Sequence, residues 1–300
     1  MNQPWDPDFT LDQSAALKLA RLCGLTGTPA VLGAGWDYET FVCDETVMRI
    51  PKRRSTANAL ASELALLLSL PNDLPLPVPR PRAELVAVDG IPYAAMVYPL
   101  LKGTQLCALP DTVKLDATVY GQQMGQFLRA LHNQPMDEDP EPFSFNQWTE
   151  LVLKHLDIID ARIDPPVGDA IRELLKRPLP DIDSRQVLCH RDLHDEHVLI
   201  DTHSGRASAV IDWGDAELGP WWFDFTGLWL WGESKALDAA LGVYGRKLTS
   251  GETAWFHRHA LIVSIGSLYY EISLDPESEA TLIWRARLQR SMYAAGPRAL

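Results

Sequence analysis

The chain has 300 residues, 46% of them hydrophobic, with ten tryptophans and a formal charge of −13. That length and apolar content suit a protein with real cores and exclude a disordered chain. An excess of 40 acidic over 27 basic residues argues against nucleic acid as a partner, because phosphate binding needs a basic face. The same charge suits a cationic small substrate, which a negative cleft would concentrate. The four cysteines show no C-x-x-C spacing, so reduced thiols are expected rather than disulfides or a zinc knuckle. The first ten residues lack the basic and apolar regions of a signal peptide. No apolar run approaches the roughly 20 residues of a membrane span. The expected setting is cytoplasmic, with no membrane partner.

"TLDQSAALKLARLCG" predicts a helix capped by Thr10 and closed by Gly24. "TPAVLGAGWDYETFVC" and "ETVMRIPKR" read as strands around an acidic turn at Asp44-Glu45. "STANALASELALLLSL" reads as a helix with Leu60, Leu64 and Leu67 on one face. The prolines of "LPNDLPLPVPRPR" demand an extended connector. "AELVAVDGIPYAAMVY" reads as a hairpin turning at Asp89-Gly90. After "PLLKG" the pattern becomes helical, with a long helix in "DTVKLDATVYGQQMGQFLRALHN" and further helices near 146–163 and 166–177. The expected division is a sheet-rich part over residues 1–101 and a helical part over 102–300. The aromatic stripe Trp221, Trp222, Phe223, Phe225, Trp229 and Trp231 reads as core first and substrate platform second.

Residues 188–201, "LCHRDLHDEHVLID", interrupt the helical half with three histidines, three aspartates and a glutamate. "HVLID", "THSGR" and "ASAVID" make a strand, a turn and a strand. The hairpin's centre lies between Ser204 and Gly205, so His197 and Asp212 should meet at its open end. Asp192 lies on the loop entering that end. Phosphoryl transfer needs a carboxylate to take the attacking hydroxyl's proton and ligands for Mg²⁺. "HRDL" matches the catalytic-loop pattern H-R-D-L-x-x-x-N, with His197 in the place of Asn, and "IDWGD" stands where D-F-G would, with Asp212 as metal ligand. Two other readings stay open: a zinc hydrolase built on His190, Asp192, His194 and His197, and a kinase-like fold retained only as a binding module.

These motifs resemble the aminoglycoside and macrolide phosphotransferases over about residues 30–230. "LPLPVP", "LKG" and "FLRALHN" are similar to the family's connector, post-hinge turn and first large-lobe helix. The histidine ending the catalytic loop is similar to that of the aminoglycoside 2″-phosphotransferases and the macrolide phosphotransferases. The resemblance implies an α+β, protein-kinase-like two-lobe fold with a small sheet-rich N-lobe and a larger, mostly helical C-lobe. It implies Asp192 as catalytic base and His197 and Asp212 at the metal–phosphate site. Arg49 falls where many relatives have the phosphate-binding lysine, and Glu63 where a helix glutamate pairs with it. The resemblance also implies that Gly33 and Gly35 belong to a loop covering the phosphates. By the same resemblance, Met96, Tyr98 and Leu100 would belong to the nucleotide-binding hinge. His190 and Asp224 support the loop. Asp215, Glu217, Glu233 and Glu271 are candidates for the acceptor. The implied activity moves the γ-phosphate of ATP or GTP, with Mg²⁺, to a hydroxyl of an aminoglycoside-like antibiotic; a macrolide or other small alcohol is the alternative acceptor. Only twelve positions separate Asp212 from Asp224, too few for a segment that docks a protein substrate. The expected state is a monomer or weak dimer.

Overall fold

The computed structural model describes residues 7–9, 11–34, 37–135, 145–159, 162–182, 185–231 and 234–296. It is a mixed α+β structure, with an antiparallel sheet in the N-terminal region and a helical C-terminal part. Contacts divide the chain into two compact units. The first holds Met1–Lys114 and Glu196–Ala216, and the second holds Leu115–Asp195 and Glu217–Leu300.

The first unit begins with α1 (Gln13–Leu22), and its cap is Asp12, whose carboxylate accepts from the Ala15 N–H at 2.8 Å. The expected cap, Thr10, lies outside the described residues. Strands β1 (Ala30–Ala34), β2 (Tyr38–Cys43), β3 (Thr46–Pro51) and β4 (Met96–Pro99) pair in sequence order as an antiparallel sheet. The β2–β3 turn takes positive φ at both Asp44 and Glu45, which the tight hairpin geometry requires. Asp44 offsets that strain by accepting the N–H groups of Thr26 and Gly27. Ala16, Leu19 and Ala20 of α1 pack with Phe41, Met48, Ile50 and Val97 in one core cluster.

Helix α2 (Arg54–Ser69) buries Leu60, Leu64 and Leu67, as their spacing predicts. The hairpin expected over residues 83–98 forms only at a Val86–Ala95 bridge. Pro92 beside the turn has no N–H to donate, which stops the ladder. The proline-rich connector carries no strand, and its Pro77 carbonyl accepts from the Val210 N–H at 2.9 Å.

A second small sheet in this unit runs β5 (Thr104–Gln105), β7 (Val198–Asp201), β8 (Arg206–Val210). The β7–β8 hairpin is the one expected, with one correction. A bulge leaves Ser208 unpaired, so Val198 faces Val210 and His197 lies beside Ile211, whose N–H it accepts at 2.9 Å.

The second unit contains α3 (Ala117–Leu131), α4 (Asn146–Ile159), α5 (Pro165–Lys176), α6 (Phe225–Trp231), α7 (Ser234–Tyr244), α8 (Ser250–Leu274) and α9 (Glu279–Ala295). Strands β6 (Gln186–Cys189) and β9 (Glu217–Pro220) pair antiparallel among them. Trp221, Trp222 and Phe225 are fully buried, so that part of the aromatic stripe is core. Among the described residues, no helix is long and apolar enough to cross a membrane.

Candidate active site

In the first unit, β3 carries Arg49 inward, α2 carries Glu63, and the chain leaving β8 carries Asp212. The Arg49 guanidinium joins the other two, with one Nη on each carboxylate. Its flat face lies over the Tyr38 ring, 3.7 Å from the centroid. The Tyr38 hydroxyl donates to Glu63 Oε2 at 3.4 Å. Arg49 and Glu63 are buried, whereas the Asp212 side chain is 41% exposed. Burial pushes the Glu63 carboxyl up and the Arg49 charge pulls it back, with Asp212 adding to the rise. Burial works against the Arg49 charge, but Asp212 and Glu63 together hold it protonated.

Asp212 adopts φ 64°, a left-handed backbone that a non-glycine residue seldom takes. Its Oδ2 lies 3.5 Å from His197 Nε2. The hairpin therefore brings these two together as its symmetry predicts, despite the bulge. Trp213 after Asp212 is buried and donates from Nε1 to the Val210 carbonyl. Asp215 is exposed on the following turn. Gly33 lies in β1, opposite Thr40. Met96 and Tyr98 lie on β4, and the Leu100 N–H donates to Glu45 O at 2.7 Å. Gly35 and Glu233 lie outside the described residues.

In the second unit, Asp192 stands on the loop after β6, its carboxylate 42% exposed. Buried Asp224 holds that loop by its backbone. One carboxylate oxygen accepts the His190 N–H at 2.8 Å, and the other accepts the Arg191 N–H at 2.8 Å. His132 Nε2 lies 3.1 Å from Asp224 Oδ2, and its Nδ1 lies 3.0 Å from the Tyr244 hydroxyl. Burial alone would raise the Asp224 carboxyl; the hydrogen bond and charge of His132, with the His190 contacts, bring it below the ordinary value instead. Arg191 has φ 67°. Its guanidinium pairs with Glu217 and lies 5.0 Å from the Trp148 ring centroid. The loop also needs Gly227 of α6, because a Cβ there would come 1.7 Å from the Leu193 carbonyl oxygen. Glu271 is half-buried on α8.

His194 and Asp195 turn out to be fixed parts of the loop. His194 lies between Asp192 and Asp195, and Arg287 of α9 grips Asp195. Burial would raise the Asp195 carboxyl, but His194 and Arg287 hold it well below the usual range. His132 lies within "FLRALHN" and Arg191 within "HRDL", but neither motif pointed to the contacts they make, and Arg287 has no local pattern that marks it.

In the first unit a hard carboxylate, half open at Asp212, beside an imidazole makes a donor pair suited to a divalent cation. In the second unit an anchored, half-exposed carboxylate suits proton acceptance.

The sequence profile of the phosphotransferase enzyme family matches residues 30–258. No curated protein matches in sequence comparison. Among solved structures, the GDP complex of aminoglycoside 2′-phosphotransferase-IIIa superposes with a TM-score of 0.73 at 15% identity, over 94% of this chain and 99% of that one. The GDP and kanamycin complex of APH(2″)-IIIa gives 0.71 at 16%, over 94% and 99%. Apo macrolide 2′-phosphotransferase MphH from Brachybacterium faecium gives 0.62 at 22%, over 96% and 99%. The chain shares their fold.

Proposed function

Because the chain belongs to the phosphotransferase enzyme family, we propose that it moves the γ-phosphate of GTP or ATP to a hydroxyl of an aminoglycoside-like antibiotic. The observation that carries this reading is the Arg49 guanidinium spanning Glu63 and Asp212. It joins the sheet, the helix and the hairpin end that a kinase-like nucleotide site requires.

In this reading residues 1–101 bind nucleotide, and residues 102–300 carry the catalytic loop and the acceptor site. Gly33 and Gly35 cover the phosphates, and Met96, Tyr98 and Leu100 border the base. Asp192 accepts the acceptor hydroxyl's proton as that oxygen forms its bond to phosphorus. The bond from phosphorus to the bridging oxygen breaks, and the charge leaves on the nucleoside diphosphate. Asp212 and His197 would hold Mg²⁺, which neutralises charge on the phosphate oxygens when bound. Arg49 supplies a fixed positive charge where the phosphates enter, while Asp224, with His190, keeps the Asp192 loop in shape.

The acceptor class draws on charge. The net charge of −13 favours a polycation, and a structural relative binds kanamycin. Asp215, Glu217, Glu233 and Glu271 are the acids offered for it. A macrolide acceptor is the second reading, favoured by the pairing of Glu217 with Arg191, which occupies one of those acids.

The test is a matrix of GTP and ATP against kanamycin, gentamicin and a macrolide with Mg²⁺, read as the mass gain of one phosphate. A drug-dependent gain that disappears in Asp192→Ala is expected. No gain with either drug class removes the antibiotic reading, and turnover surviving in Asp192→Ala removes the role of Asp192.

A further inference from the structure

The loop "HRDLHDEH" is tied to the last helix by a chain of charged contacts that ends on Asp192. Arg287 of α9 donates to Asp195 with both terminal nitrogens, Nη2 to Oδ2 at 2.6 Å and Nη1 to Oδ1 at 3.3 Å. The pair is nearly closed to solvent, with side-chain exposures of 11% and 10%. The Arg287 guanidinium is also held over the Trp284 ring, 4.5 Å from its centroid. Asp195 Oδ1 lies 3.5 Å from His194 Nδ1, and His194 Nε2 lies 3.4 Å from Asp192 Oδ1. All four residues belong to the same compact unit.

Two physical features make this more than a surface network. An imidazole with a carboxylate at each nitrogen cannot turn about χ2 without losing both contacts. The far carboxylate is itself clamped by a bidentate arginine, the geometry that fixes orientation as well as charge. Buried ion pairs are also poor stabilisers compared with apolar side chains of similar volume. Stability alone therefore does not account for one placed two contacts away from Asp192.

We propose that Arg287 and Asp195 fix the His194 ring, and that His194 sets the orientation of the Asp192 carboxylate for transfer. This rests on the reading of Asp192 as the proton acceptor. Arg287, Asp195 and His194 are positioning residues: they act through Asp192 rather than on the reacting atoms. The arrangement gives α9 a part in catalysis through a side chain 95 positions beyond Asp192.

The experiment uses the full chain and measures phosphate release from GTP and ATP with Mg²⁺, water serving as acceptor, together with Tm. The double variant Asp195→Leu/Arg287→Met removes both charges at once, so no unpaired ion is left buried. It is expected to keep its Tm and its nucleotide KM within about twofold while kcat falls about tenfold or more. His194→Ala should lose a similar factor, and adding it to the double variant should cost little more, as for groups acting in one chain. Arg287→Lys, which keeps the charge, should recover part of the rate, and it tests the idea even if the double variant does not fold. Wild-type kcat in His194→Ala, or losses that multiply when the variants are combined, would overturn the proposal. Asp192→Asn is the separate control. If it abolishes release while the other variants keep theirs, this inference fails and the reading of Asp192 stands; if Asp192→Asn itself keeps release, the reading fails and takes the inference with it.

Discussion

The Arg49 guanidinium rests on the Asp212 carboxylate across a sequence separation of 163 residues, while its other terminal nitrogen holds Glu63. A lysine could reach one of these carboxylates as a point charge, but it lacks the planar fork that spans two. The bridge makes Arg49 a structural keystone of the first unit.

Removing that keystone leaves Glu63 buried without its cation. Arg49→Met should therefore destabilise the chain by about 3–5 kcal/mol, the usual result of breaking a buried pair from one side. Replacing both partners, as Arg49→Met/Glu63→Met, should recover most of the loss. Urea unfolding of the three proteins checks this; equal losses in the single and double variants would contradict it.

Asp224→Asn tests the anchoring of the Asp192 loop. An amide keeps one acceptor oxygen where the carboxylate had two, so one of the N–H groups of His190 and Arg191 loses its partner. An unsatisfied buried donor costs about 1–3 kcal/mol. Turnover should fall by more than the stability loss alone explains, because the loop's shape is what sets the Asp192 carboxylate. Rates measured well below the variant's own Tm separate the two effects.

Gly227→Ala puts a methyl group against the Leu193 carbonyl oxygen, where the Cβ would sit 1.7 Å away. Backbone must move on one side or the other. The expected cost is about 1–3 kcal/mol, as for other overpacked sites, together with a drop in kcat. A crystal structure with the loop unmoved and full activity would contradict this.

Stability should weaken in mild acid because of His259. Its ring is buried, with Nδ1 2.9 Å from Thr226 Oγ1. Burial carries its pKa down to about 3, with the Arg191 charge adding to the fall and Asp224 opposing it. The unfolded chain takes up this proton near the ordinary histidine value and the folded chain does not. The contribution is therefore complete above about pH 6.5 and is lost as pH falls toward 3, by up to about 1.4 kcal/mol per pH unit. Urea midpoints at pH 7 and pH 5 should differ in the wild type and converge in His259→Phe. Equal slopes in both proteins would rule His259 out as the source.

The sequence made part of this site legible and left part hidden, for separable reasons. Local rules reached α2, the β2–β3 turn and the His197–Asp212 meeting, because helix periodicity and hairpin symmetry are short-range. They missed the bulge at Ser208, because the identity of the residues does not mark which position drops out of the ladder. They overstated the hairpin at Asp89-Gly90, where Pro92 removes a donor. The role of Asp195 stayed hidden because its partner Arg287 lies on a helix far along the chain. The family resemblance, drawn from motifs over about residues 30–230, did not reach Arg287.

The pairing of Asp195 with Arg287 also orders events in time. The two are separated by 92 positions, so at roughly 5–20 residues per second a ribosome makes the carboxylate about 5–20 s before its arginine. During that interval the nascent loop carries an acid destined for burial without the arginine that grips it. Completion of this loop therefore has to wait for α9.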